Sequence, residues 1–169
     1  DETAVKEDAH WIRGFAPAGR TPVLEMPARW GKLSMISAIT NRGEISFQIV
    51  EGTINAERFI EFLAHLLEDA TAKVFLIVDN LRVHHAKIVR DWAEPLKDKI
   101  ELFYLPPYAP ESNPDEHLNH DFKTSLRLEP ASDNDNDLMQ KAMRIMKRIA
   151  QIPGRVQSYF QHPLAAYAA

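Results

Sequence analysis

Two carboxylates lie at positions where α/β proteins commonly have their functional sites. Asp79 directly follows five consecutive apolar residues, Val74–Val78, a run that predicts a strand buried on both faces of a covered sheet. Glu116 lies near the start of a predicted helix, shortly after a second predicted buried strand at Ile100–Leu105. Open α/β sheets place their sites at the carboxyl ends of strands, so a carboxylate there indicates a bound cation or a strong hydrogen bond.

Each carboxylate also has a purely structural interpretation. Asp79 is equally suited to cap the loop after its strand through an Asx-turn. Asn113 precedes Glu116 by three residues, and Pro114 occupies the first helical position, so Asn113 and Glu116 have the spacing of a helix capping box. The residue types alone leave both interpretations open at each position.

Convergence of the two carboxylates would create a metal-dependent site. If the two buried strands are neighbours, Asp79 and Glu116 point toward one sheet edge and lie within about 4–8 Å of each other, where they repel unless they share a divalent ion or a proton. Asp1, with Glu2 beside it, is a candidate third carboxylate. An all-oxygen cluster suits Mg²⁺ or Mn²⁺, and two such ions suit phosphodiester chemistry.

Four histidines raise the alternative of a zinc site. His84 and His85 follow the first carboxylate, and His117 and His120 follow the second on one predicted helix. The chain has no His-Glu-x-x-His motif, and adjacent histidines usually point in different directions. We therefore expect His84, His85 and His120, together with Asn80, to support the acidic ligands or contact nucleic acid rather than bind zinc.

The remaining pattern predicts a mixed sheet covered by helices. A Gly-containing turn at 41–43 separates two largely apolar runs, which predicts a β-hairpin with strands at 33–40 and 44–50. Asn55 is suited to cap a helix whose apolar residues recur at helical spacing. The other predicted elements are a short strand near 21–25, a helix at 86–96, a helix beginning at Asn113, and an amphipathic helix at 138–152.

Charge is unevenly distributed along the chain. The 169 residues carry a formal charge of −4, which by itself argues against a nucleic-acid binder. The last 32 residues, however, carry +5, and the first 137 carry −9. Lys141, Arg144 and Arg148 are spaced to share one face of the last predicted helix. That face is either a solvated basic surface or a surface that binds phosphates.

Composition excludes several classes of protein. The chain has no cysteine, so disulfides, thiolate nucleophiles and iron–sulfur clusters are excluded. No apolar run approaches the ~20 residues that span a bilayer. The first residue is Asp1 rather than Met, so we expect the natural product to extend upstream.

The acidic residues lie inside an extended motif. The motif consists of three segments, Val78-Asp79-Asn80, His84-His85 and Tyr104–Glu116. Together they resemble the core of the mariner-related insertion-sequence transposases. The family pattern is a strand ending in Asp-Asn, a nearby His, then Leu-Pro-Pro-Tyr-Ser-Pro-x-x-Asn-Pro-x-Glu and a following Lys, which Lys123 matches. The resemblance extends from Asp1 to about Arg127, since further matches occur at Asp1-Glu2-Thr3, Trp11, Gly19-Arg20-Thr21-Pro22, Glu51–Asn55 and Phe59.

The resemblance implies a fold and a set of site residues. The implied fold is RNase H-like, a mixed five-stranded sheet covered by helices, with a basic C-terminal helix. It implies a catalytic domain at 1–130, with its first strand truncated, and an acidic linker with an amphipathic helical extension at 131–169. It implies two Mg²⁺ or Mn²⁺ ions held by a catalytic triad of Asp1, Asp79 and Glu116. The expected DNA contacts are Lys123 and Arg127 within the matched region and, from the charge pattern of the last helix, Lys141, Arg144 and Arg148.

The resemblance also implies a reaction and partners. Water cleaves the end of a mobile element, and the freed 3′-hydroxyl then attacks target DNA. The implied partners are double-stranded DNA, as element ends and as target, and a second copy of the chain in a homodimer, without a membrane partner. The implied location is the bacterial cytoplasm, on the nucleoid. The chain departs from the pattern at Ala109, where Ser is usual, at Asn119, where many members have Trp, and in lacking the family's N-terminal helix-turn-helix region.

Two other functions compete with an active transposase domain. The first is a catalytically inactive transposase remnant that serves as a DNA-docking or dimerisation domain. The second is a structure-selective nuclease of the same fold, such as a junction resolvase, because fold does not determine function. The long proline-rich motif argues against the resolvase.

Overall fold

A computed structural model describes residues 1–6, 17–19, 33–107 and 109–168. The strands in these ranges are β1 (Glu2–Val5), β2 (Leu33–Ile39), β3 (Ile45–Glu51), β4 (Val74–Val78) and β5 (Ile100–Tyr104). The α-helices are α1 (Ala56–Glu68), α2 (Lys87–Ala93), α3 (Pro114–Arg127), α4 (Asp135–Ala150) and α5 (Pro153–Ser158). The strand predicted near 21–25 and the motif residues Trp11, Arg20, Thr21, Pro22 and Tyr108 lie outside the described residues.

The hairpin and the capped helices form as their local sequences predict. Strands β2 and β3 pair antiparallel across the turn that contains Gly43, whose φ of 92° favours glycine. The side chain of Asn55 accepts a hydrogen bond from the backbone N–H of Arg58 and so caps α1. Helix α2 is shorter than the predicted 86–96 helix, because Pro95 lies in a separate 3₁₀ turn at Glu94–Leu96.

The strands form two sheets, and the predicted single five-stranded sheet is wrong for the described residues. Strands β1, β2 and β3 make an antiparallel sheet, and β4 and β5 make a separate parallel pair. Strand β1 pairs with β2 along Leu33–Ile36. Farther along, the end of β2 and the edge of β4 line a cavity of about 530 Å³. Among the described residues, no ladder joins the antiparallel sheet to the parallel pair.

Helices cover the two faces of the antiparallel sheet with two different cores. Met35, on one face of β2, is buried among α3, α4 and α5, whereas Ile36, on the opposite face, is buried with α1, α2, β4 and β5. Successive side chains of a strand point to opposite faces, so one strand contributes to both cores. The result is a mixed α/β arrangement in which α3 and β4 approach the N-terminal end of β1 from different layers.

Strands β4 and β5 are buried on one face only, which corrects the prediction of strands buried on both faces. Val78 and Ile100 are 5 % and 1 % exposed, but Phe75 is 62 % exposed and Phe103 is 45 % exposed. In the described part of the chain, α1 and α2 cover the first face, while α3, α4 and α5 pack against the other sheet. An unbroken apolar run therefore does not distinguish one covered face from two.

Helix α4 is part of the main core. Its apolar stripe includes Leu138, Ala142 and Ile149, which share a buried cluster with Val5 of β1 and Phe122 of α3. The division of the chain into functional segments at residue 130 stays a prediction. Among the described residues, no helix has the length and apolar character to cross a membrane.

Candidate active site

Asp1 lies at the start of β1, beside β2. Its backbone nitrogen donates to the carbonyl of Ser37 at 2.7 Å, and its carbonyl accepts from the Ser37 N–H at 2.9 Å. Its carboxylate Oδ2 accepts a hydrogen bond of 2.6 Å from the side-chain Nδ2 of Asn119 on α3. The backbone and the side chain of Asp1 are therefore held by two different elements.

Asp79 follows β4 and lines the same cavity as Asp1. Its Oδ1 accepts from the Leu81 N–H at 3.1 Å, so the Asx-turn interpretation of this residue is confirmed. The same oxygen lies 2.9 Å from Nδ1 of His84. Burial by itself raises the pKa of Asp79, but the hydrogen bonds from His84 and Leu81 outweigh it, and the pKa of this carboxyl lies below its ordinary value. Asp79 is both a turn-capping residue and an ionised carboxylate at the cavity.

His84 joins the loop after β4 to β1. The side chain is 1 % exposed, its ring lies 4.4 Å from that of Phe59, and its Nε2 donates to Glu2 Oε1 at 2.8 Å while Nδ1 faces Asp79. Burial lowers the pKa of His84, but the hydrogen bonds to Asp79 and Glu2 outweigh it and raise that pKa to about 9. At neutral pH the ring is a cation held between two carboxylates.

These three side chains also have the proximity of a metal site, but their hydrogen bonds favour a different role. Ligand atoms of Glu2, Asp79 and His84 lie within 4.8 Å of one another. A metal ion requires a neutral imidazole nitrogen, whereas both ring nitrogens of His84 already serve carboxylate oxygens. We interpret Glu2, Asp79 and His84 as a charged clamp, in which His84 holds the Asp79 carboxylate close to β1.

The start of α3 brings two adjacent carboxylates toward the sheet in different environments. Asn113 caps the helix by accepting from the Asp115 N–H at 3.1 Å. Asp115 is 5 % exposed, lines the cavity, and accepts from the Ser37 hydroxyl at 2.9 Å. Glu116 is exposed at the next position. The Asn113 N–H donates to the Pro110 carbonyl, so the second half of the predicted capping box goes to a backbone acceptor instead of Glu116.

The other expected supporting residues separate into two groups. Asn80 donates to the Leu105 carbonyl at 2.8 Å and faces His85 Nε2 at 2.5 Å, and His85 stacks on Tyr104 with ring centroids 4.3 Å apart. These contacts tie the loop after β4 to the end of β5. His120 is exposed on α3, and among the described residues neither it nor His117 joins a cluster of metal-ligating side chains.

The predicted DNA-contacting residues are not all on the surface. Arg127, Arg144 and Arg148 are exposed and Lys123 is partly exposed. Lys141 is 4 % exposed, and its ammonium donates to the carbonyl of Pro130 and the hydroxyl of Ser132. The prediction that Lys141 shares an exposed face with Arg144 and Arg148 is therefore wrong, because the segment between α3 and α4 covers the first turns of α4.

Sequence reasoning missed the polar residues that hold these carboxylates. Ser37 lies in an apolar strand and contacts Asp115, and Asn119 contacts Asp1. The only signal for either was that Asn119 stands where the transposase pattern commonly has Trp. Ser37 carried no signal, since one small polar residue in a strand is common.

Comparison with solved structures places the fold. The Mos1 mariner paired-end complex with Mn is similar with a TM-score of 0.70 and 16% identity, covering 100% of this chain and 54% of that one. The catalytic domain of Mos1 mariner transposase is similar with a TM-score of 0.59 and 17% identity, covering 82% of this chain and 74% of that one. The chain therefore spans about half the length of the paired-end transposase and has the mixed α/β fold of the RNase H-like transposase catalytic domain.

A chain from another nucleoprotein complex is similar with a lower TM-score. A chain in the structure of the simian T-cell lymphotropic virus intasome in complex with a PP2A regulatory subunit gives a TM-score of 0.51 and 18% identity over 70% of this chain and 43% of that one. No curated protein matches the sequence. The family model described as DDE superfamily endonuclease matches residues 1–139, and the protein therefore belongs to that family.

Proposed function

We propose that this chain is the catalytic domain of a transposase that cleaves DNA and transfers the cleaved strand. The observation that carries the proposal is the pair of carboxylates Asp1 and Asp79, which lie next to the ends of two different strands, line one cavity and are each held by a protein donor. Family membership and the transposase-like fold support the same conclusion.

The donor set fits a hard divalent cation. Asp79 is ionised, and one oxygen of its carboxylate is engaged by His84 and Leu81. Asp1 accepts from Asn119 through Oδ2 only. Each carboxylate thus has a second oxygen for a cation, and we propose that these two residues and Glu116 hold two Mg²⁺ or Mn²⁺ ions. When bound, such ions make an attacking hydroxyl group more acidic and stabilise the leaving oxygen.

The chain's own residues position the reacting DNA. In cleavage, a water oxygen attacks the phosphorus, the bond from phosphorus to the 3′-oxygen breaks, and the 3′-oxygen leaves with a proton. In strand transfer, that 3′-hydroxyl attacks a target phosphodiester and displaces its 3′-oxygen in the same way.

We propose that Lys123, Arg127, Arg144 and Arg148 contact the phosphates of double-stranded DNA, which is the substrate. We also propose that the active form is a homodimer and that it acts in the bacterial cytoplasm.

Nicking of supercoiled plasmid with Mn²⁺ or Mg²⁺ tests the proposal. We expect Asp1→Asn, Asp79→Asn and Glu116→Gln to reduce nicking by more than about 100-fold, because a ligand matters at least as much as the residues that orient it. Glu111→Gln, at an exposed carboxylate two residues before the α3 cap, is the matched control and should retain activity. Metal-independent nicking, or nicking that survives Asp79→Asn, would contradict the proposal.

The third ligand is tested separately, because Asp115 and Glu116 are adjacent. Asp115→Asn should lower stability through its contact with Ser37 but leave nicking largely intact. The opposite result, loss of nicking in Asp115→Asn and retention in Glu116→Gln, would assign the third ligand to Asp115.

A non-catalytic docking domain is the second candidate. The exposed basic residues of α4 favour it, since phosphate binding there needs no metal. DNA binding by the wild-type chain without any metal-dependent nicking would favour this candidate over the transposase.

A further inference from the structure

We propose that Asn119 is a positioning residue that orients the carboxylate of Asp1 for metal binding. The inference rests on the proposed function, because it assigns Asp1 as a ligand. It adds a residue that ties the first acidic position to the helix that carries the third.

The hydrogen bond between Asn119 and Asp1 is buried, and only one direction of donation is possible. Asn119 is 2 % exposed, and its Nδ2 lies 2.6 Å from Asp1 Oδ2. A carboxylate only accepts hydrogen bonds, so the amide nitrogen must face it, and the orientation of the carboxamide is determined. The bond therefore holds one oxygen of Asp1 and leaves the other to a cation.

The remaining polar atom of Asn119 supports a role at a site rather than in packing. Its Oδ1 is buried and has no hydrogen-bond partner within the described residues. An orphaned buried acceptor is costly, and a leucine of similar size would avoid that cost. Packing alone therefore does not explain an asparagine at this position. The need for a side-chain N–H donor to Asp1 does explain it, because the amide brings its unpartnered oxygen with the donor.

The place of Asn119 on α3 explains what the contact achieves. Asn119 lies three residues after Glu116 and four after Asp115, so all three share one side of the helix. Its hydrogen bond joins residues that are 118 positions apart in the chain. The contact therefore helps to set the distance between β1 and the acidic start of α3, together with the contacts of Asp115 and apolar packing.

Mn²⁺-dependent thermal stabilisation tests the inference without relying on activity. We expect Asn119→Leu to fold with a somewhat lower metal-free melting temperature than wild type, because the Asp1 carboxylate, whose side chain is 5 % exposed, loses its donor, while removal of the orphaned acceptor offsets part of that cost. It should raise the Mn²⁺ concentration for half-maximal stabilisation by about tenfold or more, in a titration reaching about 20 mM. Asn119→Asp should melt lower without metal, since it places a second carboxylate against Asp1, and should regain stability with Mn²⁺.

Asp121→Asn is the matched control on the same helix. Asp121 accepts from Arg155 and Tyr159 and so also ties α3 to another element, away from the cavity. This variant should lower the melting temperature and leave the Mn²⁺ half-saturation unchanged. If Asn119→Leu keeps the wild-type half-saturation, Asn119 is not a positioning residue, although the proposed function stands. If wild type itself shows no response to Mn²⁺, the metal site and this inference both fail.

Discussion

At the level of single residues, the site is held by hydrogen bonds from side chains to its carboxylates. His84 is the central example, since it donates to Glu2 on β1 and to Asp79 after β4. Removing one partner of such a group leaves the other buried and unpaired, which costs more than the intact pair contributes.

The free energy of unfolding should fall as pH rises through the alkaline range. The pKa of His84 is raised in the folded protein to about 9, so the protonated ring contributes its full stability below 6.5 and loses it as pH rises through about 9. The loss should be on the order of 3 kcal/mol, measured by denaturant unfolding with a chelator present. His84→Asn should remove most of this pH dependence.

His65→Asn is the matched control for the pH series. His65 also faces a carboxylate, Glu68, but its side chain is 65% exposed, so solvent screens the pair. That variant should keep the wild-type pH dependence. Equal pH dependence in wild type and His84→Asn would refute the clamp as a source of stability.

Loss of the Asp79 carboxylate should destabilise the metal-free protein. Asp79→Ala leaves the Leu81 N–H without an acceptor and leaves Nδ1 of the buried His84 ring with only the backbone carbonyl of residue 79, at 3.1 Å, at a cost of about 1–3 kcal/mol. Wild type should gain stability with Mn²⁺, and the variant should lose most of that gain. Glu61→Ala, at an exposed position of α1, should change stability by no more than about 0.5 kcal/mol. A variant as stable as wild type without metal would mean that its hydrogen bonds contribute little.

At the level of elements, close contacts between the hairpin and the helices hold the antiparallel sheet in place. Gly43, in the β2–β3 turn, is buried, and a Cβ there would lie 2.5 Å from the carbonyl oxygen of Pro153 at the start of α5. The Arg42 carbonyl accepts from Gln157 in the same region. The turn therefore docks on α5 through backbone that only glycine permits.

Gly43→Ala should destabilise the protein by more than about 2 kcal/mol, the sum of strain at positive φ and overlap with Pro153 backbone. Gly19→Ala is the matched control, since Gly19 has a φ of 86° and no atom within 4 Å of the added Cβ. The control should cost about 1 kcal/mol, from backbone strain alone. Similar unfolding free energies for the two variants would contradict the close docking of the turn.

The one-sided burial of β4 and β5 predicts unequal costs for the same substitution. Ile100 is 1 % exposed and Ile77 is 41 % exposed, on neighbouring strands. Ile100→Ala should cost about 2–5 kcal/mol, because it leaves a cavity in a packed core, and Ile77→Ala should cost about 1 kcal/mol or less. Denaturant unfolding of both variants measures the difference, and equal losses would mean that the second face is also covered in solution.

At the level of the whole molecule, charge is segregated onto one helix of an acidic protein. Arg144, Lys147 and Arg148 are exposed on α4, while Lys141 on the same helix is buried against Pro130 and Ser132. Arg144 pairs with Glu129 at 3.0 Å in an exposed geometry that contributes little. The surface of α4 therefore keeps its positive field toward solvent.

Replacing Arg144, Lys147 and Arg148 with Ala should weaken binding to a DNA duplex of arbitrary sequence. The slope of log affinity against log salt should become shallower by about 0.9 for each phosphate that the triple variant no longer neutralises. Lys141→Met is the matched control, because it removes a buried charge and should lower stability without changing the salt slope. An unchanged slope in the triple variant would make the basic surface of α4 a solvated face only.

Local sequence patterns predicted the hairpin, the capped helices α1 and α3, strand β4 and the acidic positions after β4 and before α3. These features depend on residues a few positions apart, such as Asn55 with Arg58 or Asn113 with Asp115. The same patterns failed for Lys141 and for the second face of β4, because burial there is decided by the segments that happen to lie over them.

The sequence by itself determined the element types, the family resemblance and the candidate carboxylates, since each is encoded in local spacing. Only the tertiary structure decided which side chains hold those carboxylates. Glu2 and His84 are 82 positions apart, and Asp1 and Asn119 are 118 apart. No local pattern carries such pairings, because the physical cost of a buried charge is settled by whichever distant donor the packed elements bring within 3 Å.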